Sequence, residues 1–546
     1  MSPRDIEGLL HGGRGGGSRD GRRDRDRDRR DDRGPDGLRG GGDWRSTDRR
    51  DAWSNDRRGN GGGEYRRESA GGRGHGDSWR HDGRGGGGAP PPPGARGVAS
   101  TNLYEVLSED GPHGLNAARM SPPRGPGQLP PQPRMARTGP SGRAATLAEV
   151  NWLTNGPAIR EFTPVIEVAE GNPPPVDINM FSDTNLVNQV LELKSQLQSA
   201  THEDITRGRV LSNPYEKVGK SVFINRAAVK LAELDAECGL VPSLLRSFDP
   251  AQHPVVVADI CSGPGGFSEY MLWRTFQDAR QDVTAIGFTL NSGDETTSFT
   301  PHKFVTEAIG SERFATCYGV PRPDAADGSG DGDILNLDNI RALAAEMDRR
   351  TNGAGAALVT SDGGISVVGH EDQQEALTRH LKLCEVLAMF HVLARGGSFV
   401  LKVYDVLSPF MAGVVYLLFA HFEHVAVVKP LSSRPANSER YVICKHLLAR
   451  KPAAVIAHLE AVHDRLAKGE NVTEIVSLFD LIREESFRKY LRHVNMVHAA
   501  NQVRALEKLV EALKVPADRA APDHGHLVRS CLQQWRLPPT PRGGSS

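Results

Sequence analysis

Apolar residues are distributed very unevenly along this chain of 546 residues. Up to about residue 200 the sequence is polar and rich in glycine, proline and arginine, whereas short apolar runs alternate with helical patterns from about 212 to 445. Strands that alternate with helices favour a mainly parallel sheet with helices on both faces. We therefore predict an α/β fold for the second region, with ligands bound at the carboxyl ends of its strands.

The periodicity places individual elements. Strands are predicted at 255–257, 283–290, 356–360, 398–404, 424–428 and 440–444. Helices are predicted at 187–197, 223–234, from 267 onwards, at about 373–393 and at 409–422. The pattern from about 447 to 535 is helical, and we expect this part to pack against the core.

Composition excludes several classes of protein. The formal net charge is −1, so total charge points to no particular partner. The six cysteines form no CxxC pair, which argues against a zinc module or a disulfide framework. Without a run of about 18 apolar residues or an apolar signal-peptide core, we expect no membrane segment and no secretion signal.

The region before the folded part divides in two. Residues 1–100 contain alternating arginine and aspartate and RGG-like repeats, and such a segment buries too little apolar surface to fold. We predict a disordered RG/RD-rich tail there, followed by a Pro-rich linker at 101–185. Aromatic residues among the arginines suit weak RNA contact by charge and stacking. The alternatives for this tail are association with another protein and a solvated segment without a specific partner.

One stretch, Val255 to Phe267, organises the second region. Its apolar start predicts a buried strand, and the carboxylate of Asp259 falls near the strand end. Small residues then form a turn, and a helical pattern begins at Phe267. A strand, a glycine turn and a helix N-terminus together can hold a nucleotide-like ligand. Taken alone, this turn fits NAD, FAD, S-adenosylmethionine (SAM) or merely a tight connection.

Four ionisable residues stand out by position: Lys230, Asp362, Lys402 and Glu439. Lys402 interrupts an otherwise apolar predicted strand, and a buried lysine requires carboxylate partners. The four form either a structural ion-pair network or a catalytic group. In the catalytic interpretation, burial and a second ammonium lower the pKa of one lysine, which then accepts a proton from an attacking hydroxyl. The reaction needs no metal, and we predict none.

The four residues around a Gly-Pro-Gly-Gly turn resemble the K-D-K-E tetrad of the FtsJ/RrmJ-type RNA 2′-O-methyltransferases. The sequences at 225–230, 261–270, 332–334, 361–364, 401–405 and 433–441 resemble motifs of the mRNA cap-1 members. The resemblance implies a Rossmann-like, SAM-dependent methyltransferase with a mainly parallel seven-stranded sheet at 186–446. It also implies that Lys402 is the proton acceptor, with Lys230, Asp362 and Glu439 beside it. Residues 447–546 are then a helical C-terminal extension with a disordered end.

The resemblance further implies two sets of binding residues. The predicted SAM contacts are Asn225, Cys261, Ser262, Gly263, Pro264, Gly265, Gly266, Phe267, Asp333 and Ile334. The nearby acid Asp259 is included with them as a predicted cofactor-binding residue. The residues expected to hold the capped 5′ end of RNA are Lys194, Arg209, Asp372, Gln373, Gln374 and Asn437. Arg209 also has its own rationale, because a guanidinium fork suits phosphate oxygens. The alternative is an ordinary surface arginine.

The expected function is methylation of the ribose 2′-hydroxyl of the first transcribed nucleotide of m7G-capped RNA. We expect a nuclear protein whose partners are capped RNA and, through the tail, the transcription or capping machinery, with no membrane partner. Three alternatives stay open: methylation of an internal ribosomal or transfer RNA ribose, an inactive scaffold that keeps the fold, and an NAD-binding dehydrogenase. The lysine-rich site does not suit the hydride transfer of the last.

Overall fold

The computed structural model describes residues 150–171, 177–249, 251–278, 282–293, 297–304, 311–323, 325, 327–365 and 373–538. The predicted tail at 1–100, most of the predicted linker, the extreme C-terminus and the predicted substrate residue Asp372 lie outside these residues. Among the described residues, no helix is long and apolar enough to cross a membrane.

Ten strands are found in the described residues. They are β1 (Leu153–Thr154), β2 (Pro164–Val168), β3 (Val256–Ile260), β4 (Thr284–Phe288), β5 (Phe314–Cys317), β6 (Ala356–Ser361), β7 (Leu393–Val403), β8 (Phe422–Val428), β9 (Arg440–Leu447) and β10 (Val472–Val476).

Twelve α-helices accompany these strands in the described part of the chain. They are α1 (Thr184–Leu197), α2 (His202–Ser212), α3 (Arg226–Cys238), α4 (Leu240–Ser247), α5 (Gly266–Gln277), α6 (Leu337–Thr351), α7 (Gln374–Val392), α8 (Pro409–His421), α9 (Ala453–Ala467), α10 (Leu478–Arg483), α11 (Glu485–Leu513) and α12 (Gly525–Gln534).

The main sheet has eight strands in the order β1-β8-β9-β7-β6-β3-β4-β5. The five from β7 to β5 are mutually parallel, and β9, β8 and β1 continue the sheet with antiparallel pairings. The predicted α/β class and mainly parallel sheet are therefore confirmed. The sheet holds one strand more than the predicted seven, because β1 pairs with the edge strand β8.

Alternation along β3 shows how the sequence builds a sheet with two covered faces. Val256, Ala258 and Ile260 join one apolar core with α6, α7, α8 and α9. Val255 and Val257 join a second core with α3, α4, α5 and α12. Since successive strand residues point to opposite faces, a continuous apolar run is what a doubly covered parallel strand requires.

Three strands lie in regions where the sequence predicted none. Residues assigned to the linker include β1 and β2, and β2 pairs antiparallel with β10 in a separate two-stranded sheet. β10 itself lies in the C-terminal region that was predicted to be wholly helical. Strands of two and five residues offer little periodicity, and their pairing partners are far away in sequence. The boundaries assigned to the tail, linker, domain and extension otherwise stay a prediction.

The C-terminal helices are packed against the fold. Phe487, Leu491 and Val494 of α11 join the same core as α7 and α8. Further along, Val503 and Leu506 of α11 pack with Val190 of α1. This long helix therefore braces α1, which carries one of the predicted substrate residues, against the main sheet.

Candidate active site

The structure brings the four predicted catalytic residues together at one edge of the sheet. Lys230 lies on α3, Asp362 directly follows β6, Lys402 is in β7 and Glu439 directly precedes β9. β6, β7 and β9 are neighbours in the sheet, and α3 packs over the face that they share. The sheet order thus brings residues that are distant in sequence into one cluster with two ion pairs.

Lys230 and Glu439 form the first ion pair of the site. Lys230 Nζ lies 2.8 Å from Glu439 Oε1 and donates to Oε2 at 2.9 Å. The hydroxyl of Ser433 also donates to Oε1, at 2.7 Å. Burial alone would raise the pKa of Glu439, but the nearby ammonium groups of Lys230 and Lys402 hold it well below its usual value. Glu439 is therefore an anion in the folded protein at neutral pH.

Lys402 and Asp362 form the second pair, with Nζ 3.2 Å from Oδ1. Burial alone would lower the pKa of Lys402, but the charges of Asp362, Tyr404 and Glu439 together raise it above its usual value. The expectation of a lowered pKa was thus wrong for Lys402 in the protein alone. Two carboxylates lie near this ammonium, and their attraction contributes to outweighing the cost of desolvation.

Lys429, which sequence reasoning missed, is a buried lysine near the catalytic group whose pKa does fall. Burial lowers its pKa to about 7. Its Nζ donates to Asn437 O at 2.9 Å, Asn437 Oδ1 at 2.8 Å and Glu439 O at 2.8 Å. Lys429 therefore fixes the backbone that presents Glu439. It follows β8 directly, and a lysine at the end of an apolar strand was the available signal.

The glycine turn after β3 is closely packed. A Cβ on Gly263 would lie 1.7 Å from the Thr297 carbonyl oxygen. Gly265 has φ +113°, and a Cβ there would lie 2.5 Å from the Phe304 ring. A Cβ on Gly266 would lie 2.1 Å from Asn225 Oδ1, so Asn225 sits directly against the turn. Glycine is required because its neighbours leave no room for a side chain.

Ser262 links this turn to the catalytic group. Its hydroxyl donates to the Ile260 carbonyl at 3.0 Å and accepts a hydrogen bond from the Asp362 backbone N–H at 3.3 Å. The backbone N–H of Cys261 donates to the Phe288 carbonyl at 2.7 Å, which fixes the start of the turn against β4. Pro264 follows Gly263 through a cis peptide bond. The predicted cofactor turn and catalytic carboxylate are therefore held in one network.

Two predicted cofactor residues have side chains with an internal, structural role. The Asp259 carboxylate is buried and accepts hydrogen bonds from Ser268 N at 2.8 Å, Ser268 Oγ at 2.7 Å and Thr360 Oγ1 at 2.8 Å. Burial raises the pKa of Asp259 to about 6. The ring of Phe267 is fully buried and packs near Tyr441, with ring centroids 6.2 Å apart. The side chains of Asp259 and Phe267 thus hold the turn from inside the protein, and a contact of either residue with SAM stays a prediction.

The segment around Asp333 lies beside the end of β4. The backbone N–H of Asn291, just past β4, donates to the Asp331 carbonyl at 2.7 Å. A Cβ on Gly332 would lie 1.8 Å from the Thr289 carbonyl oxygen. Asp333 is half-buried and Ile334 is buried. The strand ends of β3 and β4 therefore bring the predicted residues Asp333 and Ile334 to the same edge of the sheet as the glycine turn.

Two of the predicted substrate residues lie next to the catalytic group. Lys194 Nζ, on α1, donates to Ser438 Oγ at 3.3 Å, one residue before Glu439. Asn437 Oδ1 accepts a hydrogen bond from the Glu439 backbone N–H at 3.2 Å as well as from Lys429. Asn437 thus helps to orient Glu439, a role beyond the predicted one. Gln373 and Gln374 are half-buried at the start of α7.

Arg209 belongs to a group of three arginines around one carboxylate. Arg226 Nη1 donates to Glu216 Oε1 at 2.8 Å, and Arg434 Nε donates to the same oxygen at 3.1 Å. Burial and the positive charge of Arg434 lower the pKa of Arg209, while Glu216 opposes this. Three guanidinium groups share one carboxylate here, so the patch keeps a net positive charge.

A buried pair beneath the Asp362 loop was also missed. Lys382 Nζ donates to the Gly363 carbonyl at 2.7 Å and to Glu385 Oε2 at 2.7 Å. Both side chains are fully buried in α7. A Cβ on Gly363 would lie 1.9 Å from Glu385 Oε1. The pair supports the loop that carries Asp362, and two charged residues inside an apolar helical pattern were the available signal.

The mixed sheet, the glycine turn and the adjoining Lys–Asp–Lys–Glu group have the arrangement that was predicted for a Rossmann-like methyltransferase. Residues 223–447 match the model of the FtsJ-like methyltransferases. The match also supports SAM as the cofactor, and the packed glycine turn with Asn225 and Asp333 nearby fits it.

Three relatives are similar over a longer stretch. A "Cap-specific mRNA (nucleoside-2'-O-)-methyltransferase 1" of Dictyostelium discoideum is 33% identical over 343 residues, 60% of this chain and 43% of the relative. The protein of that name from Mus musculus is 33% identical over 410 residues, 71% of this chain and 46% of the relative. An "Inactive cap-specific mRNA (nucleoside-2'-O-)-methyltransferase 1B" of Caenorhabditis briggsae is 33% identical over 395 residues, 67% of this chain and 45% of the relative. The chain spans somewhat less than half the length of these relatives.

Proposed function

We propose that this protein is a SAM-dependent RNA 2′-O-methyltransferase that acts on the ribose of the first transcribed nucleotide of m7G-capped RNA, giving cap 1. The observation that carries the proposal is the pairing of Lys230 with Glu439 and of Lys402 with Asp362 beside the glycine turn. The names of the relatives support capped mRNA as the substrate class.

The residues of the chain supply position and charge. SAM supplies a methyl group that is already activated by a sulfonium, so the protein need only orient the acceptor hydroxyl and remove its proton. The backbone of the turn at 262–266, with Asn225 and Asp333, would hold the cofactor. The ion pairs then hold Lys402 and Lys230 toward the acceptor oxygen, and Tyr441 and Ser433 fix the carboxylates.

Lys402 accepts the proton in this proposal, although its pKa is raised in the protein alone. An ammonium cannot act as a base, so the amine must lose a proton before the transfer. The positive sulfonium of SAM in the same buried site would favour the neutral amine of Lys402, because like charges repel strongly at low dielectric. Release of that proton is then coupled to filling of the site, and Asp362 keeps the amine oriented throughout.

The arginine group suits the phosphates of a capped 5′ end. Arg209, Arg226 and Arg434 offer forked donors, and Glu216 holds two of them in place. Forked guanidinium groups bind phosphate oxygens in pairs. Lys194 lies close to Glu439, because its Nζ contacts the neighbouring residue Ser438. With Asp372, Gln373, Gln374 and Asn437, these residues form the proposed substrate side.

The test is mass spectrometry of methylated nucleosides after incubation with SAM and RNAs of one sequence. One RNA carries an m7G cap and the other a 5′-triphosphate. We expect 2′-O-methylation of the first nucleotide of the capped RNA only. Lys402→Ala should reduce the rate by about 10²- to 10⁴-fold, whereas Lys489→Ala, at an exposed position on α11, should leave it unchanged. Full activity of Lys402→Ala would overturn the mechanism.

A catalytically inactive scaffold is the second candidate, because one of the relatives is named inactive. The presence of all four charged residues in two ion pairs favours an active enzyme. Calorimetric titration with SAM separates the two, since a scaffold that has lost the cofactor site would show no heat of binding. Methylation of an internal ribose in the uncapped RNA would instead favour a ribosomal or transfer RNA substrate.

A nuclear location follows from the proposed reaction, which accompanies transcription. The RG/RD-rich tail at 1–100 is then a candidate contact for RNA or for the transcription and capping machinery. Microscopy of the tagged full chain, compared with a chain that lacks the tail, tests both points. A cytoplasmic signal for the full chain would contradict the nuclear assignment.

A further inference from the structure

Three potential metal ligands meet outside the catalytic group. They are His380 and Cys384 on α7 and His463 on α9. One ligand atom from each lies within 4.8 Å of the others. The rings of His380 and His463 are tilted by 57° to one another, with centroids 5.0 Å apart. Helices α7 and α9 pack on the face of the sheet that also includes α6 and α8.

Local structure explains how two of the three come together. His380 and Cys384 are four residues apart on α7, so they lie on the same side of the helix, one turn apart. Paired ligands at this spacing on a helix are a common way to offer two donors to one ion. The third donor comes from a different helix, which lets metal binding tie the two helices together.

Two ring nitrogens in the cluster are buried without a hydrogen-bond partner. They are His380 Nε2 and His463 Nδ1. The other nitrogen of His463, Nε2, is 2.7 Å from the Leu335 carbonyl oxygen. A carbonyl can only accept, so Nε2 carries a hydrogen, and in the neutral ring Nδ1 keeps a lone pair that a metal ion can bind. A ligating histidine usually has such a backbone partner on its second nitrogen.

The side chains of this cluster are largely buried, unlike surface side chains that lie close together by chance. Cys384 is fully buried and His463 is 6% exposed. His380 is half-buried, which leaves a path for an ion from solvent. Buried polar atoms are normally hydrogen-bonded, and two unpartnered ring nitrogens in a cluster with a buried thiol call for an explanation. Coordination by all three groups supplies one.

We propose that His380, Cys384 and His463 bind one zinc ion that has a structural role. Two imidazole nitrogens and one thiolate are typical zinc donors, with bonds of about 2.1 Å to nitrogen and about 2.3 Å to sulfur. These three donors leave one position of a tetrahedral set for a further ligand. The side chains need only small rotations, because their donor atoms already lie within 4.8 Å of one another.

The ion would connect three separate segments. It would join α7 to α9, and through His463 it would hold the Leu335 carbonyl, directly after Asp333 and Ile334. Zinc binding would therefore stabilise the segment around Asp333, which lies beside the end of β4. The absence of any CxxC pair had argued against a zinc module, but that rule concerns donors close in sequence, and these donors meet only through packing.

A second cluster, formed by Glu423, His424 and His446, does not have the same features. His446 Nδ1 is 3.0 Å from Glu423 Oε2, and His424 Nδ1 is 3.2 Å from Thr154 Oγ1. All three residues are half-buried. Their donor atoms already have partners, so this cluster serves as a comparison within the same chain.

The experiment is metal analysis of the full chain, purified from cells grown with added zinc and then dialysed against metal-free buffer. We expect about one zinc per chain. Cys384→Ser and His463→Gln should each lower the bound zinc roughly tenfold or more. Cys444→Ser, at a fully buried cysteine outside the cluster, and His446→Gln, from the comparison cluster, should keep it. Zinc-free wild-type protein, or unchanged zinc in Cys384→Ser and His463→Gln, would overturn the proposal.

A second measurement covers the case in which a variant fails to fold. Cobalt(II) is added to the chelator-treated wild-type protein, and absorption is recorded. A thiolate-to-cobalt charge-transfer band is expected, and added zinc should abolish it. The thermal midpoint of the same sample should rise on adding zinc, because the ion binds the folded form. A cobalt spectrum without thiolate absorption would rule out Cys384 as a ligand.

Discussion

Tyr441 donates a hydrogen bond from its hydroxyl to Asp362 Oδ1 at 2.8 Å, and the same oxygen lies 3.2 Å from Lys402 Nζ. Tyr441 and Lys402 are register partners in the antiparallel pair of β9 and β7. The pairing of β9 with β7 therefore places two side chains, Tyr441 and Lys402, in contact with the Asp362 carboxylate and fixes its position. Tyr441 acts as a positioning residue, because it acts through Asp362.

Tyr441→Phe should remove this hydrogen bond while keeping the buried ring. We expect the free energy of unfolding to fall by about 1.5 kcal/mol, as for other hydrogen bonds to a charged group. The rate of methyl transfer should fall about tenfold, which corresponds to about 1.4 kcal/mol in the barrier. SAM affinity should stay unchanged. Single-turnover experiments measure the rate of methyl transfer, and calorimetry measures the SAM affinity and the stability. Tyr416→Phe on α8 is the control. A rate equal to wild type would show that Asp362 needs no second support.

Gly265→Ala tests the packed turn. The backbone at Gly265 has φ +113°, and a Cβ would lie 2.5 Å from the Phe304 ring, so the turn must shift. We expect SAM binding to weaken by at least about tenfold, since the turn backbone can no longer approach the ligand in its present shape.

The matched control is Gly156→Ala. Gly156 also has a positive φ, +91°, but nothing lies within 4 Å of a Cβ placed there. It carries the same kind of backbone strain, about 1 kcal/mol, without the steric clash. Equal SAM affinity in both variants would mean that the turn does not form the cofactor site.

The rate of methyl transfer should rise with pH through the neutral range. The carboxylates raise the pKa of Lys402, so the fraction of neutral amine is small at neutral pH and grows about tenfold per pH unit below that pKa. Asp362→Asn removes one of those charges, lowers the pKa of Lys402 and should move the rise toward lower pH. Its maximal rate should also fall, since the amine loses its orienting partner.

The pH dependence is measured by single-turnover rates on capped RNA, with rapid quenching across a series of buffers. Asp338→Asn, at an exposed position on α6, is the control and should keep the wild-type profile. A rate that is flat above neutral pH in the wild type would mean that loss of a proton from Lys402 does not limit the reaction.

Arg209→Ala should weaken binding of capped RNA with little effect on the maximal rate. Loss of one phosphate contact should reduce the slope of log affinity against log salt by about 1. Arg341→Ala removes an arginine that is 53% exposed and pairs with Asp338 and Glu460, so it serves as the control. Fluorescence anisotropy of labelled capped RNA at several salt concentrations measures both. Equal slopes in the two variants would remove Arg209 from the substrate side.

Much of the fold was predictable because its strands are buried on both faces. The apolar runs that became β3, β4, β6 and β7 were recognised, as were the helices that became α5, α7 and α8. The short strand β5, whose residues are mostly half-buried, was missed. Three helices, α2, α4 and α6, were also missed. These elements are defined by the partners against which they pack.

The catalytic group was predictable for a related reason. Lys402 in an apolar strand requires carboxylate partners, and the structure supplies Asp362 and Glu439. The direction of its pKa was not predictable, because that depends on how many opposite charges face the amine. The roles of Tyr441, Lys429 and the Lys382–Glu385 pair also depend on distances between residues on different elements.

The sequence by itself determined the α/β class, the glycine turn and the four ionisable residues, because burial and turn geometry restrict residue types locally. Only the tertiary structure decided that Asp259 supports the turn from inside, that Lys402 stays charged in the protein alone, and that His380, Cys384 and His463 meet. These properties arise from contacts between residues far apart in the chain. The glycine turn is therefore readable from its own residues, whereas its link to Asp362 through Ser262 exists only in the folded protein.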